Sequence, residues 1–190
     1  MSSKLETLSL AAVTGLFNLK GAYLVGYSWL LGQSIWVTFI GGVIAFKALP
    51  RQQFGALQHR TFPWYFKISI GLGSGLLFLW NLGHPHVLSN LTSPAIADVA
   101  QAYTLATVVF AQLANQLVVG PMTSKTMFQR HKLEKSEGKS YTDAGISDEM
   151  KVLNKKFAKL HGISSLLNLS ANVALVFHGL WIGNKGLGNL

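Results

Sequence analysis

Apolar and uncharged positions gather in four long blocks along this chain. Residues 21–46, 68–97, 99–124 and 160–184 contain no Asp, Glu, Lys or Arg over 26, 30, 26 and 25 positions. A helix on a soluble surface keeps a polar face for water, whereas about 20 apolar residues suffice to cross a hydrocarbon core of about 30 Å. The pattern predicts an all-α integral membrane four-helix bundle. It occupies a single transmembrane domain, 1–190, with spans at about 21–46, 62–82, 98–119 and 160–182.

Local signals place the ends. Lys20 and Lys47 bracket the first span, which at 1.5 Å per residue reaches about 39 Å and must tilt or protrude. Leu49-Pro50-Arg51 ends it. The second is expected to start at Phe62-Pro63, because proline in a first turn loses no hydrogen bond, and to stop at Gly83-His84-Pro85-His86. Trp64 and Tyr65 at one end and Trp80 at the other suit an aromatic belt. The third starts at Asp98 and meets Gly120-Pro121, which should interrupt or kink it. Before the first span, Leu5, Leu8, Val13 and Leu16 share one helical face, as a short N-terminal interfacial helix or an extension of that span. Residues 123–159 form the one plainly hydrophilic stretch. There GKSYTDAGISDEM reads as a loop, and Lys151 to Lys159 as an amphipathic cytoplasmic helix before the last span.

Composition sharpens this picture. Charged residues make up 12% of the chain where about 25% is usual, yet the net charge is +9. Three of the sixteen basic residues are Arg, and no basic patch is interleaved with aromatics, so nucleic acid is excluded as a partner. The basicity instead divides by side: thirteen basic residues fall in 47–67 and 123–159, and three, Lys4, Lys20 and Lys185, on the other face. By the positive-inside rule the basic face is cytoplasmic and both termini are lumenal or exterior. An endomembrane or plasma membrane is expected rather than a mitochondrial one. The Asn90-Leu91-Thr92 sequon then falls on the lumenal side, close to the bilayer. With no cysteine, disulfides and thiol chemistry are excluded.

Asp98 is the one carboxylate near a span, which leaves ion exchange through a buried acid without a candidate. Small residues at helical spacing, Ser34, Thr38 and Gly42, then Gly71 and Gly75, then Gly179 and Gly183, predict close helix packing. His161, Ser165, Asn168 and Asn172 share one face of the last span, and Gln101, Gln112 and Asn115 one face of the third. These polar faces bond each other as structural glue or line a small polar cavity. His84, His86, His178 and Asp98 belong to the end away from the basic face, as interfacial groups rather than a metal site. No catalytic or phosphate-loop motif is present. Neither enzyme activity nor a cofactor is therefore expected.

Over residues 36–69 the chain resembles the transmembrane protein 205 family. The likeness rests on Trp36-Val37-Thr38-Phe39, Leu49-Pro50-Arg51, Phe54-Gly55, Gln58, Phe62-Pro63 and Tyr65-Phe66. Later blocks extend it: Asn115, Pro121, Thr123, Met127, Glu134 and Lys135, then His161-Gly162, Ser164-Ser165-Leu166 and Asn168-Leu169. The resemblance implies four spans, secretory-pathway membranes and an association with resistance to platinum drugs, but no reaction. A sulfur relay for platinum does not fit a chain without cysteine.

Family blocks and basic loops converge on one face. Arg51, Gln58, Arg60, Arg130 and His161 form a candidate site there for an anionic lipid headgroup, a phosphate or a protein partner. The leading expectation is a non-enzymatic accessory or scaffold subunit, embedded in lipid and binding lipid or other membrane-protein subunits through this face. The alternative is a small-solute or metal-drug carrier using the polar faces of spans three and four.

Overall fold

Each apolar block forms a helix long enough to cross a membrane, and three of the four helices continue well past the apolar block. The computed structural model describes residues 7–188 and 190. A short helix, α1 (Leu10–Gly15), is followed by α2 (Leu19–Ala48), α3 (Arg51–Gly83), a single turn α4 (His86–Ser89), α5 (Ala97–Glu137) and α6 (Asp148–Lys185). Among the described residues there is no strand.

Side-chain caps start several helices. Ser9 accepts from the Ala12 N–H, Asn18 from Gly21 and Ser147 from Met150. Asp148 and Glu149 then add negative charge to the first turn of α6. Gly138 closes α5 with φ 65°, a left-handed conformation that glycine adopts without a Cβ penalty.

Helices α2, α3, α5 and α6 pack round a core that includes Tyr23, Leu30, Leu76, Trp80, Val99, Leu105, Val108 and Leu175. The outer surface is apolar too: Trp29, Phe39, Phe78, Phe110, Leu166 and Leu180 are all exposed. A soluble bundle would not present such a surface on every helix, and lipid tails accommodate it. Of the residues expected to share one face there, Val13 lies in α1 and Leu8 and Leu16 flank it, all three exposed; Lys4 and Leu5 lie outside the described residues.

Several boundaries differ from expectation. Pro63 lies inside α3, not at its start, and residues 51–62 are helical rather than loop. The lost backbone bond to the His59 carbonyl is outweighed by tertiary contacts of the preceding turns. Phe54 packs edge-on to Phe46 at 5.4 Å, and Gly55 admits Met127: a Cβ there would stand 2.8 Å from its sulfur. The loop expected over 123–159 shrinks to about ten residues, because α5 continues to Glu137 and α6 starts at Asp148. Gly120-Pro121 does not break α5. A π-turn at Asn115–Val119 widens the helix just before it, and a Cβ on Gly120 would stand 2.5 Å from the Asn115 carbonyl. A second π-turn, Trp36–Gly41, widens α2. The expected small-residue contacts at Gly71, Gly75 and Gly183 are absent. Gly73 packs instead, 3.1 Å from Val109 when given a Cβ, because it lies on the buried face of α3.

Candidate functional site

Two polar assemblies and one charged platform carry the chemistry. The first assembly lies at the centre of the bundle, with a residue from each of the four long helices. Asn168 on α6 is its hub. Its Oδ1 accepts from Tyr65 O–H at 2.7 Å and from the Gln112 amide at 3.2 Å, and its Nδ2 donates to Thr38 at 2.6 Å. Asn172, one turn on, donates to Thr38 at 3.1 Å and to the Asn168 carbonyl at 2.9 Å. Ser34 stands 3.2 Å from the Tyr65 hydroxyl, and Gln33 reaches Ser69 at 2.9 Å. Asn115 turns to the Ser164 carbonyl at 3.3 Å. Apart from the Asn172–Asn168 bond within α6, each crosses between helices, so the set fixes their rotation as well as their separation.

The second assembly lies nearer the end that carries His84 and His86. His178 Nε2 is 2.6 Å from the Tyr23 hydroxyl and its Nδ1 is 2.8 Å from Gln101 Oε1. An amide oxygen only accepts, so Nδ1 carries the proton and Nε2 accepts from Tyr23. Next to it, Trp80 stacks on His84 with centroids 3.9 Å apart and donates its N–H to the Asp98 carbonyl at 2.9 Å. Asp98 meets His86 at 3.0 Å and His84 at 3.8 Å. Among the described residues no group of three or more His, Cys, Asp or Glu can hold a metal ion.

The expected polar cavity is thereby revised. Gln112, Asn115, Asn168 and Asn172 meet in one network, whereas Gln101 belongs to the His178 cluster and Ser165 is exposed on the outer face of α6. Ser165 misses because a shared helical face about 60° wide is broader than the strip one neighbour covers. The amide nitrogens of this network are paired, whereas Gln112 Oε1, Asn115 Oδ1 and Asn172 Oδ1 are buried without a hydrogen-bond partner among the described residues. Grooves of about 600 and 460 Å³ run over the outside, one between α5 and α6 and the other between α2 and α6. His178 is a buried bundle residue, not an interfacial one. Tyr23, Tyr65 and Thr38 went unrecognised as members; their hydroxyls within apolar blocks were the signal available.

The charged platform is built from the ends of three helices on the basic face. Arg51, first in α3, forms an ion pair with Glu134 on α5. Glu134 also accepts the Tyr141 N–H at 2.9 Å, and the Tyr141 carbonyl accepts from Asn154 on α6 at 2.9 Å. The Tyr141 ring lies 4.3 Å from the Arg51 guanidinium and 4.2 Å from that of Arg130. Arg130 also stands 4.6 Å over Phe157, which stacks on His161 at 5.7 Å. Arg130 is 5% exposed, and burial together with the Arg51 charge lowers its pKa below the usual arginine value. The same two causes, in the same order, lower His131.

Of the five residues expected at an anion site, the platform joins Arg51, Arg130 and, through Phe157, His161. Gln58 instead lies against α2 near Gly42, and Arg60 is exposed on α3. Both sit too far along the helix from Arg51 to share its turn. Glu134 and Tyr141 were not recognised as site residues; an acid between Arg130 and Lys135 was the clue for the first.

Comparison with known proteins adds the following. A family model described as "Domain of unknown function (DUF4149)" matches residues 25–132, more than half of the chain. The chain is 29% identical to Xanthocillin biosynthesis cluster protein D of Aspergillus fumigatus over 192 positions, covering 100% of both chains. It is 26% identical to Transmembrane protein 205 of Danio rerio over 162 positions, 79% of this chain and 84% of that protein. No solved structure matches. With four apolar helices and these relatives, the molecule is a multi-pass integral membrane protein.

Proposed function

The chain belongs to the DUF4149 family of transmembrane protein 205-like membrane proteins, and on that premise we propose that it is a non-enzymatic accessory subunit that docks an acidic protein partner on its basic face. The observation that carries this reading is the division of labour among the thirteen basic residues of that face. Eleven are exposed, including Lys132, Lys135, Lys151, Lys155, Lys156 and Lys159, while Arg51 and Arg130 are spent on bracing the three helix ends. A braced platform holds its exposed lysines in a fixed array, which suits recognition of a complementary charged surface. The positive-inside rule places this face in the cytoplasm and the termini in the lumen or exterior.

The carrier reading has less support. Asn168 at the bundle centre is bonded to Tyr65 and Gln112, and the two grooves lie on the outer, lipid-facing surface, away from the unpartnered oxygens of Gln112 and Asn115.

The test reverses Lys155, Lys156 and Lys159 to Glu and measures the stoichiometry of proteins retained through purification in mild detergent. Loss of a defined partner, with retention when the three become Arg, supports docking. Unchanged stoichiometry after reversal, or solute uptake into proteoliposomes that depends on Asn168, overturns it.

A further inference from the structure

The platform contains one cation more than it can neutralise. Arg51 has Glu134; Arg130 has no carboxylate within 4 Å among the described residues. Three acids of this region are bonded elsewhere, and Glu137, two turns further along α5, does not come within 4 Å of it. Glu134 spends one oxygen on Arg51 and the other on the Tyr141 N–H, Asp143 accepts from the Ser140 N–H at 2.7 Å, and Asp148 pairs with Lys151 at 2.7 Å. The Arg130 side chain is nevertheless 95% buried, and its Nε–H is fully enclosed without an acceptor. A buried guanidinium left in that condition is unfavourable unless something supplies the missing negative charge.

The shape of the enclosure says what that is. Tyr141 at 4.2 Å and Phe157 at 4.6 Å lie against the guanidinium and favour its charge, but the Tyr141 hydroxyl is a neutral acceptor and neither side chain supplies a full negative charge. The Nε–H is left without an acceptor, on an edge of the fork that matches two oxygens of one tetrahedral anion. Arg51, on the same Tyr141 ring at 4.3 Å, supplies a second guanidinium. Asn154, one turn before Phe157 on α6, has an unpartnered Oδ1, but a neutral amide does not compensate a full charge.

We propose that the edge of the Arg130 guanidinium, held by Tyr141 and Phe157 and flanked by Arg51, binds a phosphate group. It rests on reading the basic face as the binding face, and it adds a ligand class to it. The phosphate belongs to a lipid headgroup or to a soluble phosphate compound; the chemistry at Arg130 is the same.

The chain's three arginines make the test direct, because arginine-labelled protein gives three Nε–H signals, from Arg51, Arg60 and Arg130. The full chain is placed in nanodiscs of phosphatidylcholine alone and titrated with inorganic phosphate and pyrophosphate. It is separately placed in phosphatidylcholine nanodiscs containing phosphatidic acid. The expected result is a saturable shift of the Arg130 signal with the exposed Arg60 signal still. Arg130→Lys should weaken binding about tenfold or more, the loss of one or two charge-assisted bonds. Should that variant fail to fold, Arg51→Lys gives a smaller loss and carries the test.

A shift only with phosphatidic acid identifies a lipid source, and one only with the soluble anions a soluble source. An Arg130 signal unmoved in every arm, or moved equally by chloride, overturns the proposal. Lysine-dependent docking that survives such a failure leaves the accessory reading standing. Phosphate binding without docking removes that reading alone.

Discussion

Tyr141 joins the three helix ends through its backbone and its ring. Glu134 holds its N–H, Asn154 its carbonyl, and two guanidiniums lie against its ring. Breaking the Arg51–Glu134 pair at its buried end should therefore release the loop as well as an ion pair. Glu134 is 6% exposed, and Glu134→Gln is expected to cost about 2 kcal/mol, in the range for hydrogen bonds to charged groups. A lowered thermal midpoint in detergent, with earlier proteolysis between Gly138 and Ser147, checks it. His131 supplies the pH dependence. Burial first and then the Arg51 charge depress its folded pKa, opposed by Glu134, with Arg130 adding a smaller push downward. Its contribution to stability is complete above the unfolded value near pH 6.5 and is lost as pH falls below it, where the unfolded chain binds the extra proton. Melting at pH 5.5 and 7.5 should show the wild type losing more of its midpoint in acid than His131→Gln. At this scale the site was only partly legible. Arg51, Arg130 and His161 announce themselves as polar groups next to spans, whereas the assignment of Glu134 to Arg51 depends on helix ends 83 residues apart meeting.

The four long helices were legible as elements because each owes its identity to a block without charge. Their continuation beyond the membrane was not. Residues 51–62 and 123–137 look like loop to a reading that stops at Pro63 and at Gly120-Pro121, yet contacts such as Phe46 with Phe54 and Gly55 with Met127 hold them helical. The π-turn at Asn115–Val119 allows α5 to pass its proline, and it occurs where Asn115 enters the polar centre. The rotation of the helices depends on Asn168, which bonds side chains of α2, α3 and α5. Interhelical bonds in membranes average about 0.6 kcal/mol and reach about 1.7, so Asn168→Leu, which breaks three, should cost about 1–2 kcal/mol. Equilibrium unfolding in mixed detergent is the measurement. Ser165→Leu is the paired control, expected within about 0.5 kcal/mol because Ser165 is exposed. Equal losses from both would refute the assignment of the hub.

For the whole molecule, the shortage of charge and the surplus of positive charge have one cause. Charge is absent where the helices meet lipid, and thirteen of sixteen basic residues collect at one end of the bundle. Two of them brace α3, α5 and α6 while eleven remain exposed, so the end of the bundle is at once rigid and strongly basic. That combination is the basis of the proposed accessory role. It requires a defined orientation, since a basic platform in the lumen would meet neither the partners nor the field that the positive-inside bias reflects. The absence of cysteine makes the orientation readable, because a single introduced thiol is the only one in the chain. Ser140→Cys on the platform loop and Ser93→Cys at the opposite end are treated, in sealed vesicles with the cytoplasmic face outermost, with a membrane-impermeant thiol reagent before and after permeabilisation. In such vesicles Ser140→Cys is expected to be labelled at once and Ser93→Cys only after permeabilisation. Labelling of both positions from one side, or of Ser93→Cys alone from the cytoplasm, would contradict it.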